Sequence, residues 1–294
     1  MGSIGTFAEE TETEEYTGDC SDEDTKNGDD IGEKELLIVS FGTSYNDNRQ
    51  ATIGAIEDAE AAAFPEYSVR RGFTSQIIID KVAERDGKKF DNVGEALDRA
   101  VENGVKTLVV QPTHLMNGYE YTDLKDELET YVDQFDQVVL ANPLLTTDED
   151  FQAVATAITD ATKEYDDGET AIVFMGHGTE ADSNSVYAKM QETLTEAGFE
   201  NYFIGTVEAE PSLEDVLALV AEGDYTKVVL EDLMVVAGDH AHNDMAGDEE
   251  DSWKSQFEAA GYEVECILTG LGEIEEIQQL YVAHTQEAMD LLAE

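Results

Sequence analysis

The chain has 294 residues, of which 68 are acidic and 16 are basic, for a formal net charge of −52. A protein this negative repels phosphate backbones and anionic membrane surfaces, so we expect neither nucleic acid nor membrane insertion. Hydrophobic residues make up 41% of the chain, enough for a folded body, and the length suits two domains.

Residues 1–35 hold 13 acidic and two basic residues with almost no apolar periodicity. This composition predicts a disordered acidic leader. Residues 36–294 still carry a net charge of −41, so the folded body is itself acidic. A salt-adapted surface, an exported protein and a field that concentrates cations are all compatible with this charge.

From residue 36 onwards, short apolar runs alternate with amphipathic segments, which is typical of parallel sheets covered by helices. The predicted strands span residues 36–41, 67–72, 106–111, 137–141, 171–175, 201–206, 227–232 and 262–267. The predicted helices span residues 49–62, 94–103, 123–134, 150–163, 185–197, 212–221, 251–260 and 273–292. The predicted fold class is therefore α/β, with a four-stranded parallel sheet in each half.

Two similarities relate the halves. Gly-Thr follows a predicted strand at residues 42–43, and a Gly-His-Gly-Thr run follows one at residues 176–179. Residues 107–120 also resemble residues 227–240, at a constant offset of 120 residues. Repetition at a fixed offset indicates duplication of an α/β unit. We therefore predict domains at residues 36–167 and 168–294, with a ligand cleft between them.

Three candidate metal ligands follow successive strands of the second half. His177, Glu208 and His240 are each separated by about one βα unit. Because ligands of parallel α/β sheets bind beyond the carboxyl ends of the strands, all three side chains are expected at one rim. Two imidazoles and a carboxylate suit cobalt, nickel, iron or zinc.

Other chemistries have weaker support. The sequence lacks a GxGxxG run after the first strand, a GxxxxGK[ST] loop and a GxSxG elbow. Residues 240–244 resemble part of a binuclear metallohydrolase signature, but Met245 stands where its final histidine belongs. The turn at residues 40–44 either binds an anion through backbone N–H groups or simply joins a strand to a helix. His114 either faces the cleft or is a hydrogen-bonded structural histidine.

Several of these segments together resemble the anaerobic cobaltochelatases that insert cobalt into sirohydrochlorin, relatives of the ferrochelatases. The resemblance covers residues 36–291. It rests on the segments 37–44, 110–114, 174–178, 205–208 and, most specifically, 236–245 with 250–254.

The resemblance implies two similar Rossmann-like domains of the chelatase type with a tetrapyrrole in the cleft between them. It implies that His177, Glu208 and His240 hold the metal and that His177 accepts a proton. The implied reaction inserts Co²⁺ into sirohydrochlorin with release of two protons, in anaerobic cobalamin biosynthesis. Co²⁺ is then a substrate, with Fe²⁺ and Ni²⁺ as alternatives, and no organic cofactor is expected.

The carboxylates of such a substrate need donors, and arginine is scarce in this chain. We expect the backbone N–H groups of Thr43 and Ser44, the hydroxyls of Tyr119 and Tyr121, and His114 to contribute. The family implies a cytoplasmic location, whereas the acidic leader suggests an exported or surface-tethered form. An exported metal or haem carrier on the same fold is therefore the alternative, and a homo-oligomer remains open.

Overall fold

The computed structural model describes residues 17–29 and 31–292 and contains two four-stranded parallel sheets. The strands of the first sheet are β1 (Lys34–Ser40), β2 (Ser68–Phe73), β3 (Thr107–Pro112) and β4 (Gln137–Leu140). Those of the second are β5 (Thr170–Gly176), β6 (Tyr202–Thr206), β7 (Lys227–Asp232) and β8 (Glu263–Ile267). These strands confirm the predicted fold class, and each predicted strand overlaps an observed one.

The two sheets have the same strand order, β2-β1-β3-β4 and β6-β5-β7-β8. The central strands are apolar on both faces, as in β1, where residues 36–39 are fully buried. Strands buried on both faces are characteristic of parallel sheets, because each crossover places a helix against the sheet. The carboxyl ends of β5, β6 and β7 therefore lie side by side.

The helices flank these sheets. Those of the first half are α1 (Asn46–Arg49), α2 (Ala55–Ala63), α3 (Gln76–Asp86), α4 (Val93–Glu102), α5 (Tyr119–Glu129) and α6 (Asp148–Ala161). Those of the second half are α7 (Ser185–Glu196), α8 (Leu213–Val220), α9 (Trp253–Ala259) and α10 (Glu275–Leu292). A π-helical segment, Gln50–Gly54, joins α1 to α2.

Helix α3 was not predicted, although its ends carry recognisable residues. The Ser75 hydroxyl accepts a hydrogen bond from the backbone N–H of Ile78, and Gly87 ends the helix in the left-handed conformation at φ 68°. Serine at the start and glycine at the end of a helix satisfy backbone groups that the helix itself leaves unpaired.

Two helices pack against the sheet of the opposite half. Phe151 and Ile158 of α6 share an apolar cluster with Ile172 of β5. Helix α10 packs against β3 and β4, with Val282 beside the cluster that contains Val109. The boundary at residues 167 and 168 thus separates the two sheets but not the helices that cover them, and as a domain boundary it stays a prediction.

The structure differs from the prediction of a disordered leader through residue 35. Residues 1–16 lie outside the described part of the chain, but residues 17–29 pack against the first half and β1 begins at Lys34. Cys20 is 6% exposed, and Glu23 pairs with two buried arginines. Composition did not show this because the partners of Glu23 lie far along the chain, at Arg49 and Arg71.

Within the described residues, no helix combines the length and apolar character needed to cross a membrane.

Candidate metal site

His177, Glu208 and His240 come together at the carboxyl ends of β5, β6 and β7. One ligand atom from each lies within 4.8 Å of the other two. Their side chains are 47%, 57% and 33% exposed, respectively, so the group is open to solvent and is not sealed in the core. The convergence expected from the sequence spacing is thus observed, whereas the roles of these residues are proposals taken up below.

Backbone hydrogen bonds between β5 and β6 set His177 beside Glu208. The N–H of Val207 donates to the carbonyl of Gly176, and that of Glu208 donates to the carbonyl of His177, both at 2.9 Å. Gly178 follows at φ 85°, and a Cβ atom there would stand 2.8 Å from the backbone nitrogen of Ala209. Only glycine fits this turn, which lets the chain reverse directly after His177.

His240 begins a π-helical turn, His240–Met245, after β7. Ala241 and Met245 of this turn are fully buried in an apolar cluster with Trp253. These two residues anchor the turn and leave His240 on its open side. The rings of His177 and His240 meet edge to face, with centroids 4.6 Å apart.

Hydrogen bonds define which imidazole nitrogens are free. His177 Nδ1 lies 2.8 Å from the carbonyl oxygen of Gly178, and His240 Nδ1 lies 2.6 Å from Asp244 Oδ2. Because carbonyl and carboxylate oxygens only accept, both Nδ1 atoms carry the hydrogen. The Nε2 lone pairs of both rings are therefore available to a metal ion.

Sequence reasoning did not identify Asp244 as the hydrogen-bond partner of His240. A carboxylate that accepts from the far nitrogen of a metal-binding histidine orients the ring and makes it a stronger ligand. The four-residue spacing from His240 to Asp244 on one turn of helix was the sequence feature that could have revealed it.

Two buried acidic residues, Glu231 and Asp232, end strand β7, from which the chain continues to His240. Burial raises the pKa of Glu231 to about 7, and burial also raises the pKa of Asp232 well above its usual range. The buried carboxyl groups of Glu231 and Asp232 each contain at least one oxygen without a hydrogen-bond partner among the described residues.

The predicted substrate-binding turn at Thr43 and Ser44 lies against the loop that precedes His240. Both residues are 3% exposed, and Thr43 Oγ1 stands 3.4 Å from the position that a Cβ atom on Gly238 would occupy. The next residue, Tyr45, stacks on His242 with ring centroids 4.0 Å apart. His242 is thus a neighbour of the site that contacts the first half.

The remaining predicted substrate residues follow β3. The His114 side chain is 8% exposed, with Nε2 3.3 Å from Glu120 Oε2. Tyr119 is 62% exposed, whereas the Tyr121 hydroxyl donates to the carbonyl of Ala141 at 3.4 Å. Tyr121 lines a cavity of about 480 Å³ along β4, so it has a different environment from the metal-ligand group. Substrate contacts by these residues stay predictions.

Comparison with known proteins places this site in a family. The family model described as cobalt chelatase (CbiK) matches residues 34–290. The sirohydrochlorin cobaltochelatase of Salmonella typhimurium is 36% identical over 261 residues, covering 89% of this chain and 98% of that protein. The sirohydrochlorin cobaltochelatase CbiKC of Nitratidesulfovibrio vulgaris is 31% identical over 261 residues, covering 88% and 92%.

Solved structures support the fold. The sirohydrochlorin chelatase SirB from Bacillus subtilis subspecies spizizenii, in complex with cobalt, superposes with a TM-score of 0.61 at 12% identity and covers 90% of this chain and 98% of that one. CbiX, described as the terminal enzyme of sirohaem biosynthesis in denitrifying bacteria, gives 0.53 at 15% identity over 87% and 99%. With a family match over nearly all of the described residues, the chain belongs to the CbiK cobalt chelatase family.

Proposed function

We propose that the protein inserts Co²⁺ into sirohydrochlorin with release of two protons, and that His177, Glu208 and His240 hold the incoming metal. The observation that carries this proposal is the meeting of two imidazoles and a carboxylate within 4.8 Å at an open rim, in a chain of this family. Relatives at 36% and 31% identity are described as sirohydrochlorin cobaltochelatases, which supports the same substrate pair here.

Insertion requires that the cation lose water and that two pyrrole N–H groups lose protons. Neutral imidazole is a good ligand for late divalent metals and a base suited to near-neutral pH. Glu208 adds a negative charge that offsets part of the charge of the cation.

As Co²⁺ moves from the protein to the pyrrole nitrogens, the Nε2 lone pair of His177 becomes free. His177 then accepts one pyrrole proton, while its Nδ1–H remains bonded to the carbonyl of Gly178. We assign the second proton to the carboxylate of Glu208, whose Oε2 lies 3.8 Å from the His177 ring at Nδ1. Both protons finally pass to solvent, which balances the exchange of two N–H bonds for Co–N bonds.

The test mixes the purified protein with an excess of Co²⁺ and sirohydrochlorin and follows the tetrapyrrole absorbance over many equivalents. We expect multiple turnovers that are lost in His177→Ala. Uptake that stops after one equivalent would instead identify a metal or tetrapyrrole carrier. Parallel runs with Fe²⁺ and Ni²⁺ determine the metal preference, because the ligand types alone accept all three.

A further inference from the structure

Residues 17–29, here called the N-terminal strap, precede the part of the chain that the family model matches, which starts at residue 34. The strap runs beside the edge strand β2, where the N–H of Arg71 donates to the carbonyl of Lys26. Lys88 Nζ donates to the carbonyls of Ser21 and Glu23 at 2.9 and 2.8 Å. The strap is therefore an integral part of the first half.

Glu23 places a carboxylate between two buried guanidinium groups. Its oxygens accept from Arg49 Nη2 at 2.6 Å and from Arg71 Nη1 at 2.7 Å, and its side chain is only 4% exposed. Burial by itself raises the pKa of Glu23, but hydrogen bonds and charge from the two arginines outweigh it and hold the pKa below its usual value. Arg71 has a second carboxylate partner, Glu57, at 2.7 Å.

Among the described residues, Glu23 is the only carboxylate within ion-pair distance of Arg49, whose side chain is fully buried. Losing one partner of a buried ion pair leaves an uncompensated charge in a medium of low dielectric constant, which is strongly unfavourable. The arrangement around Arg49 thus depends on the strap.

Arg49 in turn holds the start of α1. Its Nη1 donates to the carbonyl of Thr43 at 2.8 Å, and its Nη2 donates to Asn46 Oδ1 at 2.6 Å. The strap also contacts α1 directly, because the carbonyl of Thr17 accepts from the N–H of Asp47 at 2.9 Å. This bond satisfies a helix N–H group that has no side-chain cap.

Helix α1 then contacts the loop that carries His240. Asn48 Oδ1 accepts from the N–H of Ala237 at 2.8 Å. Tyr45, at the N-cap of α1, stacks on His242, and His242 Nδ1 donates to the carbonyl of Gly238 at 2.9 Å. His240 lies between these two anchor points.

We propose that the N-terminal strap is a positioning element of the metal site, and that Glu23 acts through Arg49 and α1 on the loop that carries His240. The inference rests on the proposed function in one respect, which is that His240 is taken to be a metal ligand. Glu23 is a positioning residue and has no contact with the metal-ligand group.

The expected effect is a loss of metal affinity beyond any loss of stability. Direct outer partners of metal ligands change affinity by about 10- to 100-fold when mutated. Glu23 acts through several intervening contacts, so its effect should be smaller. We expect Glu23→Gln to raise the Kd for Co²⁺ by about 3- to 10-fold. Asn48→Ala, which breaks the last contact without touching the buried ion pairs, is expected to act in the same direction.

The experiment titrates Co²⁺ alone into full-length protein and records the ligand-field absorption, with thermal unfolding measured on the same samples. Leu128→Ala serves as the control, because Leu128 lies in an apolar cluster with Leu97 and Leu124 and its truncation destabilises the first half elsewhere. We expect weaker Co²⁺ binding in Glu23→Gln and Asn48→Ala, less than additive loss in the double variant, and unchanged binding in Leu128→Ala.

An unchanged Kd in folded Glu23→Gln, or the same loss in Leu128→Ala, would overturn the proposal. If Glu23→Gln does not fold, Glu23→Asp, which keeps the charge on a shorter side chain, is measured against the same criteria. His240→Ala separates the two levels of inference. Co²⁺ binding that survives His240→Ala rejects the proposed site, whereas binding lost in His240→Ala but intact in Glu23→Gln rejects only the role of the strap.

Discussion

The two halves of the molecule share one backbone plan but differ at the positions of the proposed metal ligands. In the first half, Ser75 donates its N–H to the carbonyl of Phe41, and in the second, Glu208 donates to the carbonyl of His177. Gly42 and Gly178 both have positive φ angles, of 95° and 85°. Phe41 and Ser75 thus occupy the places of His177 and Glu208.

The position of His240 also has a counterpart in the first half. Thr122 donates its N–H to the carbonyl of Gly118, as His242 does to that of Gly238, so Glu120 corresponds to His240. The two halves thus share the geometry of their strand ends and turns, whereas among the described residues the set of two imidazoles and one carboxylate occurs in the second half alone. The first half instead contacts the loop that carries His240, through Tyr45 and Asn48.

The core beneath these turns differs as well. Gln111 of β3 corresponds to Glu231 of β7, because each precedes the last residue of its strand. Gln111 is neutral and fully buried, and its Nε2 donates to the carbonyls of Pro112 and Asn142. Glu231 accepts one bond from Thr269 and leaves Oε2 unpaired. The second half therefore buries an acid where the first buries an amide.

The largest expected effect distinguishes the second half, which carries the proposed metal ligands, from the first half. His177→Ala removes one of three proposed ligands, so we expect the Kd for Co²⁺ to rise by more than the ~100-fold upper limit for an outer partner. Phe41→Ala, at the corresponding position, is expected to change that Kd by less than about twofold. Calorimetric titration of both variants with Co²⁺ alone makes the measurement. Equal losses in the two variants would contradict the assignment of the metal to the second half.

A smaller effect is expected at the outer partner of His240. Asp244→Asn keeps the size of the side chain but removes its charge, so the ring is oriented less firmly and becomes a weaker ligand. We expect Co²⁺ affinity to fall by about 10- to 100-fold. The matched control is Asp239→Asn on the same loop, since Asp239 is exposed and accepts only from Asn243. If equilibrium titrations show that the two variants bind Co²⁺ with the same affinity, Asp244 does not strengthen His240 as a metal ligand.

The third effect concerns stability and pH and not the affinity for the metal. The pKa of Glu231 rises from 4.5 to about 7 because of burial, so between these values the folded state keeps a proton that the unfolded state has lost. The contribution of Glu231 to the free energy of unfolding therefore falls as pH rises through this window and stays low above it. We expect Glu231→Gln, which introduces the amide of the first half, to stabilise the protein by about 1–3 kcal/mol at pH 8 relative to pH 4.5.

Urea unfolding at both pH values measures this difference. The control Glu263→Gln, at an exposed position of the neighbouring strand β8, is expected to change the free energy of unfolding by less than about 0.5 kcal/mol. A Glu231→Gln gain that is the same at both pH values would show that the buried charge is not its cause.

Much of the candidate metal site was predictable because its geometry follows from the order of adjacent parallel strands. His177, Glu208 and His240 each follow a parallel strand, and adjacent strands bring their carboxyl ends to one rim. The hydrogen bond from His240 to Asp244 was not predicted, since it depends on a π-helical turn that apolar burial of Ala241 and Met245 stabilises. The separate environment of Tyr121 was likewise not evident from its place after β3.

The eight strands, their division into two sheets and the spacing of the candidate metal ligands could be predicted from the sequence, because alternation of apolar strands and amphipathic helices is a local property. Only the tertiary structure decided where the N-terminal strap packs, which sheet α6 and α10 cover, and how α1 meets the loop that carries His240. Those contacts join residues far apart in the chain, such as Glu23 with Arg71 and Asn48 with Ala237. Local composition carries no record of such partners, so residues 17–29, whose composition predicts disorder, pack against the first half, with Glu23 between Arg49 and Arg71.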